Sequence, residues 1–312
     1  MSKKICIVGA GIVGLCTAWQ ARNQFGGDCQ IHVIADKFEE STVSACAIGI
    51  FEPHSKSRIC DNFEELWKLS FDFFIDLLKS KAAGKAGISM VDGFRCHQVA
   101  LSDETIGKMK TLVYNFEEVD AQTMGPVKDT SNIAKVYHYS TLMMDSAKFL
   151  IWASEVLINQ GVQFLTRHID DFQELADEDY EIIFNCSGLG SCSLANDKDL
   201  ESVRGQIVKI NAPWIKQFYN FFDESTSIHP GEGCCVVGST FQKENFEAEP
   251  CKSITEAMLK RVANRIPSLE NAEVQVELAG FRPERASLRL EKGGTLTNKS
   301  TGNVAYIFHN YG

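Results

Sequence analysis

The sequence predicts an α/β fold, in which a parallel-sheet unit at the amino end is interleaved with a second, mostly antiparallel unit. Three observations lead there. An apolar run that ends in glycine is followed by a helical pattern and then by a second apolar run. Helical and strand patterns alternate early in the chain, whereas its later part is rich in strands. No low-complexity linker separates the two parts, so an ordered chain must cross between them more than once.

Ile5-Cys6-Ile7-Val8 reads as the first strand, residues 12–24 as a helix and Ile31-His32-Val33-Ile34 as a second strand. Over residues 62–79, Phe63, Leu66, Trp67, Phe71, Phe74, Ile75 and Leu78 recur at steps of three and four, which predicts an amphipathic helix. Its aromatic stripe is expected in the core rather than against a cofactor. Residues 82–87 form a small, glycine-broken turn, and residues 88–139 carry mixed short strands and polar connections without a repeat. Asp145 caps a helix that runs through Phe149, Leu150, Trp152, Val156 and Leu157 and stops at Gly161. Strands follow at 162–165, 181–185, 205–210 and 234–241, a helix at 253–266, and strands at 273–279 and 304–309.

With 312 residues, 44% of them hydrophobic and 23% charged, the chain is ordinary for a globular enzyme of one or two packed units. A net charge of -10 without a dense Lys/Arg run excludes nucleic acid as an expected partner. An anionic small molecule would need a local basic cluster. The 11 cysteines show no C-x-x-C pair and no alternation with histidine at zinc-ligand spacing, so reduced thiols and no metal site are expected. Cys234 and Cys235 are both expected in the core, and the cysteine usage points to a reducing compartment. Lys3, Lys4 and the apolar stretch after them imitate a secretory signal, but the regular glycines argue otherwise. No apolar run reaches the roughly eighteen residues of a membrane span.

Gly9-Ala10-Gly11-Ile12-Val13-Gly14 has the G-x-G-x-x-G spacing directly after a strand and at the start of a helix. Gly9 permits a tight turn, Gly11 lets the backbone approach a pyrophosphate and Gly14 lets helix and strand pack closely. Asp36, at the end of the second strand, can accept hydrogen bonds from ribose hydroxyls. These features predict a dinucleotide and leave FAD and NAD open.

Following Asp36, the chain reads Lys37-Phe38 and then Ser41-Thr42-Val43-Ser44-Ala45-Cys46-Ala47-Ile48-Gly49-Ile50-Phe51-Glu52-Pro53-His54. Here it resembles the D-amino-acid oxidase family, and the D-aspartate oxidase branch in particular. Further matches are Ala86-Gly87-Ile88, Asn185-Cys186-Ser187-Gly188-Leu189-Gly190-Ser191, Val203-Arg204-Gly205-Gln206, Ala212-Pro213-Trp214, Gly238-Ser239-Thr240-Phe241-Gln242, Gly280-Phe281-Arg282-Pro283 and His309-Asn310-Tyr311-Gly312. The resemblance implies a Rossmann-like FAD-binding domain (1-53, 140-198 and 282-312) interleaved with a mostly antiparallel β-sheet substrate domain (54-139 and 199-281). It implies non-covalent FAD, with Gly9 to Gly14 on the pyrophosphate, Asp36 and Lys37 at the adenosine end, and Ser44, Gly49 and Ile50 along the flavin. Val162 is expected to meet adenine through its backbone, and Ser187 and Gly188 to line the cofactor site. Val43 stands where a hydroxyl residue is usual.

The implied reaction oxidises an acidic D-amino acid, D-aspartate or D-glutamate, to a 2-oxo acid, ammonia and hydrogen peroxide, with molecular oxygen as acceptor. Arg282 matches the arginine that grips the α-carboxylate through two parallel N–H donors, with Arg285 and Arg289 completing a basic cluster. His54 matches a histidine that helps to bind the side-chain carboxylate. Asn220 falls where that branch has an arginine for this carboxylate, and Ser227 where the family has a tyrosine; Tyr219 and His229 are the candidate substitutes. A catalytically impaired flavin- or ligand-binding relative and an oxidase of neutral D-amino acids are the alternatives, and an NAD-dependent dehydrogenase ranks last. The sequence stops at Gly312, inside a motif that relatives continue with a glycine-rich turn and a final helix, and without a Ser-Lys-Leu type address. A peroxisomal location is therefore expected from the resemblance alone, with the cytoplasm as alternative, and the oligomeric state is left open.

Overall fold

The computed structural model describes residues 3–52 and 62–312. In chain order its elements are β1 (Lys4–Val8), α1 (Ile12–Phe25), β2 (Gln30–Ala35), α2 (Phe63–Lys79), β3 (Ile88–His97), α3 (Asp103–Leu112), β4 (Tyr114–Val119), β5 (Lys135–Met144), α4 (Ser146–Asn159), β6 (Gln163–Thr166), α5 (Phe172–Asp177), β7 (Ile182–Asn185) and α6 (Ser191–Leu194). They continue with β8 (Glu201–Asn211), β9 (Phe218–Phe221), β10 (Thr226–Pro230), β11 (Cys235–Gly238), β12 (Gln242–Lys243), α7 (Lys252–Arg265), β13 (Glu273–Glu284), β14 (Arg289–Thr297) and β15 (Val304–Tyr311).

Two sheets result. The first has the order β14-β15-β7-β1-β2-β6, parallel from β15 to β6, with β14 antiparallel at its edge. Ile5, Cys6 and Ile7 of β1 and Ile31, Val33 and Ile34 of β2 are inaccessible to solvent, as continuous apolar strands covered on both faces should be. The second sheet runs β12-β8-β11-β10-β9-β3-β5-β4, with β13 on the other side of β8. It is antiparallel except where β3 meets β9. The fold is thus the α/β arrangement expected from the sequence, a Rossmann-like parallel unit interleaved with a mostly antiparallel one. The strands at the expected crossings near residues 140 and 282 stay in the second sheet longer, β5 to Met144 and β13 to Glu284.

The aromatic stripe of α2 is core, as expected: Phe71, Phe74 and Ile75 are buried with Phe149 and Leu150 of α4. Where mixed short strands are expected over residues 88–139, the structure has two ten-residue strands that pair along their full length, β3 on β5, the second running on to Met144, and a helix whose Ser102 cap accepts a hydrogen bond from the Thr105 N–H. Their alternation escapes a hydropathy reading because Arg95, His97 and Thr141 are polar yet buried. The expected strand 234–241 shortens to β11, and β12 lies just beyond it. Cys235 is buried in β11, whereas Cys234 lies in the turn before it and is only half-buried, a correction to the expectation that both thiols are core. Among the described residues the cysteines are free thiols, and no group of three or more His, Cys, Asp or Glu side chains is placed to hold a metal ion.

Candidate active site

The glycine turn is built as the spacing requires. Gly9 has φ +107°, and a Cβ there would collide with the Cys186 carbonyl at the end of β7. A Cβ on Gly14 would run into the carbonyl oxygen of Gly9, so α1 lies directly on the turn. Gly11 is the N-cap of α1 and provides no side-chain cap. The space a Cβ would take there faces Ser44 Oγ, 2.9 Å away, and the Ile12 N–H donates to that oxygen at 3.0 Å. The start of α1 thus presents backbone donors and the positive end of a helix dipole, with no acidic side chain in its first turn. Ala10 is buried behind it, while Val13 is exposed. A diphosphate fits this cradle.

Around it stand the carboxyl ends of the parallel strands, where ligands of such sheets bind. Asp36 and Lys37 follow β2 and are exposed, with His168 Nδ1 3.7 Å from the Asp36 carboxylate. Ser187 and Gly188 follow β7: the Ser187 hydroxyl bonds to Asn185 Oδ1 at 2.7 Å, and Gly188 has φ +56°. The short turn with Val43 and Ser44 joins this end to the second sheet, since Val43 and Cys46 lie where a Cβ on Gly280 of β13 would touch them. Gly49 has φ +80° and its carbonyl accepts from the Met144 N–H, and Ile50 bridges to Met143, which seats the segment on the end of β5.

Val162 is the exception. It immediately precedes β6, at the amino end of a strand whose Gln163 pairs with His32 and whose Thr166 pairs with Ala35. That puts it roughly 13 Å along the sheet from the glycine turn. Its side chain is buried and its N–H is held by the Leu157 carbonyl, so its expected adenine contact is corrected. The segment after β6, with His168 and Ile169, occupies the corresponding place beside Asp36. A cavity of about 260 Å³ bordered by Arg22, His32 and Gln163 lies at this same far end and takes no part in the site.

Arg282 lies on β13, which continues through Gly280 and Pro283 although both are strand breakers by type. Its Nη1 donates to the Thr240 carbonyl at 3.0 Å and its Nη2 to Ser239 Oγ at 2.8 Å. The guanidinium lies flat over Gly205, where any Cβ would collide with it. Among the described residues no carboxylate lies within ion-pair distance of it, and burial pushes its pKa down, though a guanidinium stays charged. Strand register extends the site. Arg95 pairs with Asn220, Asn220 with Ser227, and Gly238 with Ile207, two residues from Gly205, so these positions share a face with Arg282. Ser227 Oγ donates to the Gly238 carbonyl, and Gly238 precedes the Ser239 that holds Arg282. Asn220 Nδ2 donates to Glu52 Oε2 at 2.8 Å, and Glu52 Oε1 accepts from the Tyr139 hydroxyl at 2.6 Å and from Arg95 Nη1 at 3.5 Å. A polar seam therefore runs from Arg282 through Ser239, Ser227 and Asn220 to Glu52.

Sequence reasoning did not find Glu52, Arg95 or Tyr139. The only signal was the pair Arg95 and His97, two polar residues at strand spacing on what is β3. Arg95 Nε donates to His97 Nε2 at 2.8 Å; burial and then the neighbouring Arg95 push His97 down to about 4. Tyr139 is raised well above the ordinary tyrosine value by burial and by the Glu52 carboxylate. His229 is buried beside Phe218, and burial pushes it down to about 4. Tyr219 does not substitute for a missing hydroxyl, because it is buried and stacked on Phe94. Arg285 and Arg289 are likewise corrected: they form no cluster with Arg282 but pair with the buried Asp197 at 3.1 Å each, and with Asp199 and Glu291. His54 lies outside the described residues.

Similarity to known proteins agrees with this geometry. The family model described as "FAD dependent oxidoreductase" matches residues 4–311. The chain is 30% identical to the D-aspartate oxidase of Homo sapiens over 310 residues, 99% of this chain and 88% of that protein. It is also 30% identical to D-aspartate oxidase 1 of Caenorhabditis elegans over 318 residues, 100% of this chain and 91% of that one. Among solved structures, glycine oxidase from Bacillus cereus shares the fold, with TM-score 0.78 and 15% identity over 99% of this chain and 90% of that one. A glycine turn shaped for a diphosphate, a parallel sheet that ends on it and a match along nearly the whole chain thus lead to one result: the chain belongs to the FAD-dependent oxidoreductase family.

Proposed function

We propose that this protein oxidatively deaminates D-amino acids, with D-aspartate and D-glutamate among its substrates, to 2-oxo acids, ammonia and hydrogen peroxide. One observation supports this above the rest. Arg282 offers a half-buried guanidinium without a carboxylate partner among the described residues, on a strand tied to the cofactor end of the molecule. That tie is local: Pro283 lies 3.8 Å from where a Cβ on Gly188 would stand. FAD, held at the turn from Gly9 to Gly14, would supply the two-electron oxidation of the substrate and the transfer of electrons to oxygen.

The chain's own residues do the positioning. The Thr240 carbonyl and the Ser239 hydroxyl fix the plane of the Arg282 guanidinium, leaving N–H donors for the two oxygens of an α-carboxylate. An amino acid anchored there extends its side chain along the seam toward Ser227 and Asn220. Similarity to D-aspartate oxidases supports acidic substrates. A second reading, preference for neutral D-amino acids, is favoured by Asn220, which is already bonded to Glu52. Peroxide formation with added FAD across acidic, neutral and basic D-amino acids and their L-enantiomers tests the proposal. Peroxide from D-enantiomers alone supports it; a yellow protein that releases none with any of them overturns it.

A further inference from the structure

We propose that Glu52 is a specificity-determining residue whose carboxylate stands in for the side-chain carboxylate of an acidic substrate. The inference rests on the D-amino-acid reading above and adds which side chains the site admits. Three donors converge on Glu52 from three neighbouring strands: the Tyr139 hydroxyl of β5 at 2.6 Å, Asn220 Nδ2 of β9 at 2.8 Å and Arg95 Nη1 of β3 at 3.5 Å. Glu52 itself belongs to none of these strands; it follows the segment seated on β5 by Ile50 and by the Phe51 N–H to Leu142 O bond. A phenol, an amide N–H and a guanidinium form the donor set that a carboxylate needs away from water. The same set lies at the end of the seam that begins at Arg282.

A substrate gripped by its α-carboxylate at Arg282 therefore finds these donors taken, and one with a distal carboxylate meets a like charge at that place. Glu52 disfavours long acidic side chains and leaves the α-carboxylate grip untouched. Acidic D-amino acids are then turned over through Arg282 alone, without a side-chain anchor.

The test uses the FAD-loaded protein and Glu52→Ala, with Glu52→Gln as the variant that keeps the side chain's size while removing its charge and one of its two acceptor oxygens. Perturbation of the flavin spectrum is titrated with glutarate and with butyrate, and kcat/KM is measured for D-glutamate and D-alanine. In both variants glutarate should bind about tenfold tighter or more while butyrate stays within about threefold, and the D-glutamate to D-alanine ratio of kcat/KM should rise by a similar factor. Equal effects on both carboxylates, or weaker glutarate binding, would overturn the role of Glu52. If the unsubstituted protein oxidises no D-amino acid, the functional reading fails separately, because the inhibitor titration still reads Glu52.

Discussion

Gly205 has no side chain, yet it should control how tightly substrate is held. In the structure the Arg282 guanidinium rests directly on it, and a Cβ built on Gly205 would collide with Nη1, Nη2 and Cζ. The backbone of Gly205 is ordinary strand, paired with Gly280, so alanine is tolerated locally and the arginine must yield. Moving the guanidinium by about 1 Å breaks its bonds to Thr240 and Ser239 and misplaces the α-carboxylate, which costs on the order of 10²-fold in kcat/KM. Arg282→Ala, which deletes the charged hydrogen bonds outright at about 1.5–3 kcal/mol each, should lose at least as much, chiefly as a raised KM. The assay is steady-state peroxide formation for Gly205→Ala, Arg282→Ala and the double variant, with FAD affinity measured by fluorescence on each. The double variant should be no worse than Arg282→Ala, because both changes remove one contact. Additive losses, normal kinetics in Gly205→Ala, or FAD binding that falls in step with activity would each refute the placement of Arg282 at the substrate.

Three further outcomes follow from the same geometry. Gly14→Ala should lower stability by about 1–3 kcal/mol or more because its Cβ meets the Gly9 backbone, whereas Gly11→Ala should fold nearly normally and lose FAD, since its Cβ meets only the Ser44 side chain; thermal melts and flavin retention separate the two. Burial holds His229 neutral, with its pKa down at about 4 against an ordinary 6.5, so between these values the unfolded chain binds a proton that the folded chain refuses. Stability should be fully present above pH 6.5 and fall toward pH 4, by about 3 kcal/mol from this residue, and urea melts of His229→Gln should show a flatter acid limb; an unchanged limb would exclude the assignment. Asp197→Asn leaves Arg285 and Arg289 facing each other without their shared carboxylate and should cost about 2 kcal/mol or more, seen as a lower urea midpoint with substrate KM unaltered.

How much of this was legible in the sequence depends on what each signal encodes. The glycine turn was fully legible, because strand, glycines and helix are contiguous and each glycine answers a local steric demand. Arg282 was legible only through family resemblance. What makes it available is that no carboxylate among the described residues lies within ion-pair distance of it, while Arg285 and Arg289, a few residues on, are paired with Asp197 from far away in sequence. Glu52, Arg95 and Tyr139 were not legible, since their roles arise when β3, β5 and β9 come into register and place three distant polar residues on one buried point. Val162 failed for the opposite reason. Its contact with adenine was carried over from the resemblance, although the strand expected at 162–165 already sets Val162 at the amino end of β6, and in a parallel sheet the two ends differ by the whole strand length.

Under the proposed function, a D-amino acid held at Arg282 gives up its α-hydrogen to a flavin cradled by the first helix. Anaerobic mixing of the FAD-loaded protein with D-amino acids, followed through the visible flavin band, tests this most directly. The band should bleach with D-enantiomers, stay unchanged with L-enantiomers, and recover when oxygen is admitted. A band that stays unchanged with every D-amino acid, or that bleaches equally with both enantiomers, would contradict it.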